Sequence, residues 1–346
     1  MEHESKVRLT KLVSCAGCGA KVGAGTLSKL LGGLKSRTDE NLIVGYDKSD
    51  DAAVYRITDE LCIVETVDFF PPMVDDPYTF GRIAAANALS DIYAMGAEPK
   101  FALNLLCVPK SMPKEDVQSL LKGGYDTVYE AGAVIAGGHS IYSDEPKYGL
   151  CVTGMVETSK AIRNFGAEDG DVLILTKPLG IGIIMTAHKG EVASKEEVSR
   201  AVEVMTTLNR NAALCMKGYR VHACTDVTGF SLMGHLLEMM EGSDTEAHID
   251  TSKIKFLQGA RDYAEMGILP EGMYRNREFA ESMVSVGSVP LCVQDVLFDP
   301  QTSGGLLIAV HAGDAEALFA ELKDKCEAQL IGRVRSYGGG YRIFLS

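Results

Sequence analysis

Two thiols and an ammonium group lie within eight residues of one another in SCAGCGAK, residues 14–21. The segment is too rich in glycine for a stable helix or strand, so Cys15, Cys18 and Lys21 ride on a loop. Cys18 has glycine on both sides and Lys21 three residues on. A neighbouring cation favours the thiolate, the reactive form of cysteine, which makes Cys18 a candidate nucleophile against the plainer reading of an incidental exposed thiol. Cys15 and Cys18 also admit a redox pair, although such a motif belongs at a strand-to-helix junction and this one lies on an N-terminal arm. A structural zinc site needs four ligands, and the other cysteines and the seven histidines supply no second pair at ligand spacing.

Aspartates at element ends are the second source of chemistry. Asp51, preceded by Asp50, stands where the polar turn GYDKSDD enters a strand, and Asp68 closes the apolar run CIVETVD. Asn87 and Asp91 are four apart in one helix and therefore share a face. Asp226 falls between an apolar strand and a helix that starts near Thr228. Each has an ordinary alternative: a helix cap for Asp226, a solvated turn for Asp50 and Asp51, a surface position for Asp91. Taken as a set, these oxygens suit Mg2+ or another hard cation, which keeps waters and substrate phosphates in its shell. Three glycine-rich loops, AGGHS (136–140), TKPLGIG (176–182) and DPQTSGG (299–305), offer backbone N–H groups to an anion, and in the first His139 and Ser140 add donors. Tight turns would use the same residues. None of the three matches the P-loop or dinucleotide-binding spacing.

These residues need elements to hold them. NLIVGY, AAVYRI, LCIVETVDFF, FALNLLCVP, AVIAGGHS and YGLCVTGMV read as strands, and PYTFGRIAAANALSDIYAMGA and EDVQSLLKGGYDTVYEAGA as helices, the first closed by Gly96. The polar stretch ETSKAIRNFGAEDGD marks a domain junction, after which a second strand and helix series runs from DVLILTKPLG to YRIFLS. The expected organisation is a glycine-rich arm over residues 1–40, mobile or acting as a lid, then an α+β domain over 41–158 and another over 159–346.

A formal net charge of −13 over 346 residues, with no cluster of Lys and Arg, argues against nucleic acid as a partner. An acidic protein binds a polyphosphate through intervening cations. No apolar run approaches the roughly 18 residues of a membrane span, and the first residues lack the apolar centre of an export signal. Nine cysteines, mostly in apolar runs such as LCIV and LLCV, read as free thiols, so the expected compartment is the cytoplasm.

GCGAK, DDAAVY, TVDFF, FGRIAAANALSDIYAMG, AGGHSI, LTKPLGIG, TDVTGFSLMGHLLEM and DPQTSGGLL, in that order over nearly the whole chain, resemble the selenophosphate synthetase family. That family is similar to aminoimidazole ribonucleotide synthetase, and the resemblance implies a two-domain α+β fold and a homodimer whose N-terminal sheets pair. It implies a reaction of ATP, selenide and water that gives selenophosphate, AMP and orthophosphate with Mg2+. It also implies roles residue by residue: Cys18 and Lys21 as the catalytic pair, and Asp51, Asp91 and Asp226 as magnesium carboxylates. Lys48, Ser49, Asp50, Asp68 and Asp91, with Lys21, would contact the nucleotide, while Gly138, His139 and Ser140 would reach ATP across the dimer. Many members carry a second cysteine directly before the lysine; here that residue is Ala20, and the extra thiol is Cys15. Other ATP-using members of the superfamily, a thiol oxidoreductase and a nucleotide-binding module without turnover are the alternatives.

Overall fold

The computed structural model describes residues 8–14, 16–31, 34, 37, 39–45 and 51–346, so Cys15, Lys48, Ser49 and Asp50 lie outside the described residues. Among its described residues the arm contains two 3-10 turns, Leu9–Leu12 and Gly17–Ala20, and helix α1 (Ala24–Leu31). After it come β1 (Leu42–Val44), β2 (Ala53–Arg56), β3 (Leu61–Phe70), helix α2 (Pro77–Ala94), β4 (Glu98–Val108), helix α3 (Lys114–Glu130), β5 (Val134–Tyr142) and β6 (Lys147–Glu157). The six strands form one sheet in the order β1-β2-β3-β6-β4-β5. Its neighbours run antiparallel except β4 and β5, which are parallel because α3 carries the chain across between them.

Helix α2 is the centre of the molecule. Asp76 caps it by accepting from the Thr79 N–H at 2.7 Å, and Pro77 opens its first turn. Small residues at 84, 85, 86 and 88 let it lie between the first sheet and the second domain, with nearly every residue buried. It crosses α3 at glycines: a Cβ on Gly81 would sit 2.0 Å from Leu120 O, and one on Gly123 would sit 2.0 Å from Tyr78 O.

The second domain contains β7 (Val172–Leu175), α4 (Ile181–Lys189), α5 (Lys195–Thr206), α6 (Arg210–Met216), β8 (Val221–Asp226), α7 (Ser231–Ser243), β9 (Thr245–Ile249) and α8 (Ala260–Glu265). It continues through α9 (Glu271–Ala280), β10 (Val284–Ser285), α10 (Leu291–Leu297), β11 (Leu306–Val310), α11 (Ala312–Lys323), β12 (Gln329–Ser336) and β13 (Ile343–Leu345). Its strands pair in the order β10-β13-β9-β12-β7-β11-β8, so the architecture is α+β in both halves. No helix among the described residues is long and apolar enough to cross a membrane.

Two expectations differ from the structure. AGGHS is the middle of strand β5, as the strand reading of AVIAGGHS expects, and not an open anion-binding loop; Gly138 is required there because a Cβ would lie 2.3 Å from Asn104 O. The arm packs more firmly than its glycine content suggests: Leu9, Thr10, Val13 and Cys18 are buried, and the Thr10 N–H and hydroxyl both donate to Asp75 Oδ1. A few apolar side chains and backbone hydrogen bonds suffice where the segment has a groove to lie in.

Candidate active site

Alternation along β3 turns Thr66 and Asp68 to its inner face and leaves Val67 and Phe69 outside. Two residues of strand and four of helix advance by nearly the same length, about 6–7 Å. Strand β3 and helix α2 therefore make two matching rungs: Thr66 Oγ1 donates to Asp91 Oδ2 and Asn87 Nδ2 donates to Asp68 Oδ2, each at 2.5 Å.

The arm and the second domain close on those rungs. Asn87 Oδ1 accepts from the Ser303 N–H at 2.8 Å and from Cys18 Sγ at 3.3 Å, while the Cys18 N–H donates to Thr302 Oγ1 at 3.1 Å. Lys21 Nζ lies 2.8 Å from Asp68 Oδ2. Thiol and ammonium thus arrive at one amide–carboxylate pair. Gly229 permits this, since a Cβ there would stand 3.0 Å from Cys18 O and 3.2 Å from Lys21 Cδ. Asp226 ends β8 with both carboxylate oxygens buried and without a hydrogen-bond partner of good geometry, although the Ser90 hydroxyl is near enough to favour its charged form. Beside it Thr225 Oγ1 donates to Asp51 Oδ1 at 2.8 Å and ties the two domains together.

The loops TKPLGIG and DPQTSGG grip each other rather than stand open. Gln301 Oε1 accepts from the N–H groups of Gly180 and Ile181 at 3.2 and 3.1 Å. Lys177 Nζ donates to Thr207 O at 2.7 Å and to Ser303 O at 2.8 Å, which holds Ser303 in a left-handed conformation (φ 49°) with its N–H aimed at Asn87. Burial of the Lys177 ammonium lowers its pKa to about 7.

Charge in the site is unbalanced. Burial, with the nearby charges of Asp226 and Asp68, pushes Asp91 well above the carboxylate range. Asp226 is also raised by burial, against the pull of Ser90, His235 and Lys21. Lys21 stays an ammonium because, although burial works against it, Asp68, Cys18 and Asp91 together outweigh that effect. For Cys18 the expectation of a favoured thiolate is reversed: burial drives the thiol up to about 12 despite Lys21, so in this closed arrangement it is a protonated donor to Asn87.

A divalent cation fits this donor set. Carboxylates that raise one another's pKa, with two oxygens of Asp226 left unmatched, are what a hard cation would relieve. Among the described residues no three carboxylate, imidazole or thiol groups converge tightly enough to hold a metal by themselves. Waters or ligand oxygens would have to complete its shell.

Of the residues singled out in the sequence, Cys18, Lys21, Asp68, Asp91 and Asp226 are gathered here, with Asp51 at the edge. Gly138, His139 and Ser140 are not: they lie exposed on β5, the far edge strand of the first sheet, with β6 and β4 between it and β3. Lys177, Thr302 and Ser303 had no role in the sequence reading as individual side chains. Only the glycine-rich texture of their loops signalled them.

Known proteins share this arrangement of domains. The family model described as the N-terminal domain of AIR synthase related protein matches residues 49–156, and that of the C-terminal domain matches residues 168–343. The selenide, water dikinase of Treponema denticola is 50% identical over 325 residues, which covers 94% of this chain and 92% of that protein. The selenide, water dikinase of Clostridium botulinum (strain Eklund 17B) is 49% identical over 334 residues, covering 96% and 97%. In structure, thiamine monophosphate kinase from Aquifex aeolicus matches with a TM-score of 0.65 at 17% identity over 93% of this chain and 96% of that one, a likeness of fold.

Proposed function

The chain belongs to the selenide, water dikinase family, and from that premise we propose how its own residues carry the family's reaction. The enzyme makes selenophosphate from selenide, water and ATP, with AMP and orthophosphate as the other products. Cys18 and Lys21 form its catalytic pair. One observation carries this reading: the arm delivers the thiol and the ammonium to Asn87 and Asp68, beside carboxylates left short of positive charge.

Asp51, Asp91 and Asp226 hold Mg2+, which when bound screens the triphosphate from these carboxylates. Lys21, kept as an ammonium, presents a fixed positive charge to the transferring phosphoryl group. Asp68 orients that ammonium and Asn87 orients the sulfur. Cys18, protonated when buried, offers selenide an S–H donor, and with only 1% of its surface exposed it holds the easily oxidised anion away from solvent. Lys48, Ser49 and Asp50 contact the nucleotide. Gly138, His139 and Ser140 reach the ATP of a partner subunit in a homodimer, supported by the apolar outer face of the first sheet, where Val67 and Leu103 are exposed. Eight free cysteines among the described residues support the cytoplasm as the compartment.

The test is release of AMP with and without selenide, at saturating Mg2+ and with EDTA. Wild type is expected to couple AMP release to selenophosphate, and Cys18→Ser to lose selenophosphate while retaining slow ATP hydrolysis. Full selenide-dependent activity in Cys18→Ser would remove Cys18 from the chemistry. Equal ATP affinity by calorimetry with Mg2+ and with EDTA would remove the metal from binding.

A further inference from the structure

Helix α9 touches the arm along one face. Gly272, Arg275 and Phe279, at i, i+3 and i+7, lie on the same side of it. That side follows the arm's glycines: a Cβ on Gly272 would come within 3.5 Å of Gly19 Cα, Arg275 Cδ lies 3.8 Å from where a Cβ on Gly23 would be, and Phe279 Cδ2 lies 3.8 Å from that of Gly25. Arg275 Nη2 donates to Gly19 O at 2.6 Å, and Glu271 Oε1 accepts from Nη1 at 2.5 Å, which orients the guanidinium. The helix itself is fastened to its domain by Asn276, whose Nδ2 donates to Gly229 O at 3.0 Å and Phe298 O at 3.1 Å. Gly229 in turn abuts Cys18 and Lys21.

The other bonds that hold Gly17–Lys21 down run largely to the floor of the site: Thr302, Asn87 and Asp68. Arg275 differs, since it grips the arm one residue from Cys18 without facing the acidic cluster. Beside it a cavity of about 220 Å³, lined by Gly17, Gly19, Gly272, Arg275 and Thr302 among others, leaves space next to the arm. A thiol with 1% of its surface exposed meets selenide only when the arm lifts, so the strength of this grip sets how often that happens.

We infer that Arg275 is a positioning residue that latches the catalytic arm in its closed state through the Gly19 carbonyl. The inference rests on the reading that Cys18 acts from the arm. Removing the guanidinium raises the open fraction, and with it the accessibility of Cys18, by roughly tenfold or more, the range expected for loss of a charged hydrogen bond.

The experiment labels the full-length enzyme with N-ethylmaleimide and reads each cysteine separately by peptide mass spectrometry, for wild type, Arg275→Ala and Arg275→Lys. Cys18 labelling is expected to accelerate about tenfold in Arg275→Ala and less in Arg275→Lys, which keeps a cationic donor. The buried Cys62 and Cys224 should not change. Selenophosphate synthesis by Arg275→Ala should fall in kcat with the KM for ATP preserved. Equal Cys18 labelling in wild type and Arg275→Ala would overturn the latch, and so would a parallel rise at Cys224, which would mean that Arg275 serves global packing. Labelling reports the arm directly and Cys18→Ser activity reports the chemistry, so failure of one reading is visible apart from failure of the other.

Discussion

Asn87 does at one position what an ionised carboxylate could not do. Its amide donates to Asp68 and its carbonyl accepts from both Ser303 and Cys18, so a single side chain joins strand, arm and second domain. Asn87→Asp keeps the shape but replaces the donor to Asp68 with a second negative charge. We expect the variant to lose roughly 1–3 kcal/mol of stability without metal and to recover most of it when Mg2+ is added, as read by urea unfolding. Equal unfolding midpoints for variant and wild type would show that the amide is not holding these elements. The sequence places Asn87 and Asp91 on one helix face by their spacing alone, which the two rungs to β3 bear out. It could not place Ser303 beside Asn87, because the two are separated by 216 residues and no local pattern encodes that pairing. Nor could it foresee the protonated thiol of Cys18: spacing shows the nearby lysine, whereas the burial that outweighs it is a property of the folded chain.

Elements were legible where hydrophobic periodicity decides them. The alternation of LCIVETVDFF and the long apolar face of α2 both read directly, and both position the site. The packing of the arm did not, and AGGHS read both as a strand and as an open loop, since glycine marks close backbone approach as readily as a loop. The crossing of α2 and α3 is such an approach. Gly81→Ala would press a methyl group onto Leu120 O and force the helices apart, for which we expect a loss of roughly 1–3 kcal/mol and weaker ATP turnover as Asn87 and Asp91 shift from β3; unchanged stability would contradict the packing. The joint between TKPLGIG and DPQTSGG carries a pH dependence. Asp299 is fully buried, accepts from the Gly182 N–H and from Gln301 Nε2 at 2.9 Å each, and has its other oxygen unmatched. Burial raises its pKa from 3.8 to about 8. The folded state therefore holds a proton that the unfolded chain has released, and the resulting stability, complete below the unfolded value, is lost as pH rises through the folded one. Asp299→Asn keeps an acceptor and abolishes the titration, so the stability of the variant relative to wild type should rise between about pH 5 and about pH 8. Calorimetric curves that stay parallel across that range would exclude Asp299 as the titrating group.

At the scale of the whole molecule, the first sheet has one face on α2 and one face bare. Val67, Cys151 and Leu103 stand side by side across β3, β6 and β4, and Val67, Phe69, Phe101, Leu103, Ile141 and Tyr142 are exposed apolar side chains on that sheet. A second copy of the same face is a natural cover, because a two-fold interface is self-complementary. Gly138, His139 and Ser140 lie on β5 at the sheet's edge, remote along the sheet from the Asp68 of their own chain, so a role for them at ATP requires the partner's site. Leu103→Asp should sediment as a monomer and lose ATP turnover, although residue 103 lies on the outer face of the sheet and Asp68 on the inner one. Mixed dimers give the sharper test. Cys18→Ser and His139→Ala are each expected to be impaired alone. In a mixed dimer, one site would receive an intact Cys18 from its own chain and an intact His139 from the other. If the chain pairs as proposed, the two variants co-refolded in equal amounts would form mixed dimers as about half of the population, each with one restored site, and activity should rise to about a quarter of wild type. If His139 served the site of its own subunit, no arrangement of these chains would contain a complete site and mixing would restore nothing; full activity of His139→Ala alone would remove the residue from catalysis altogether.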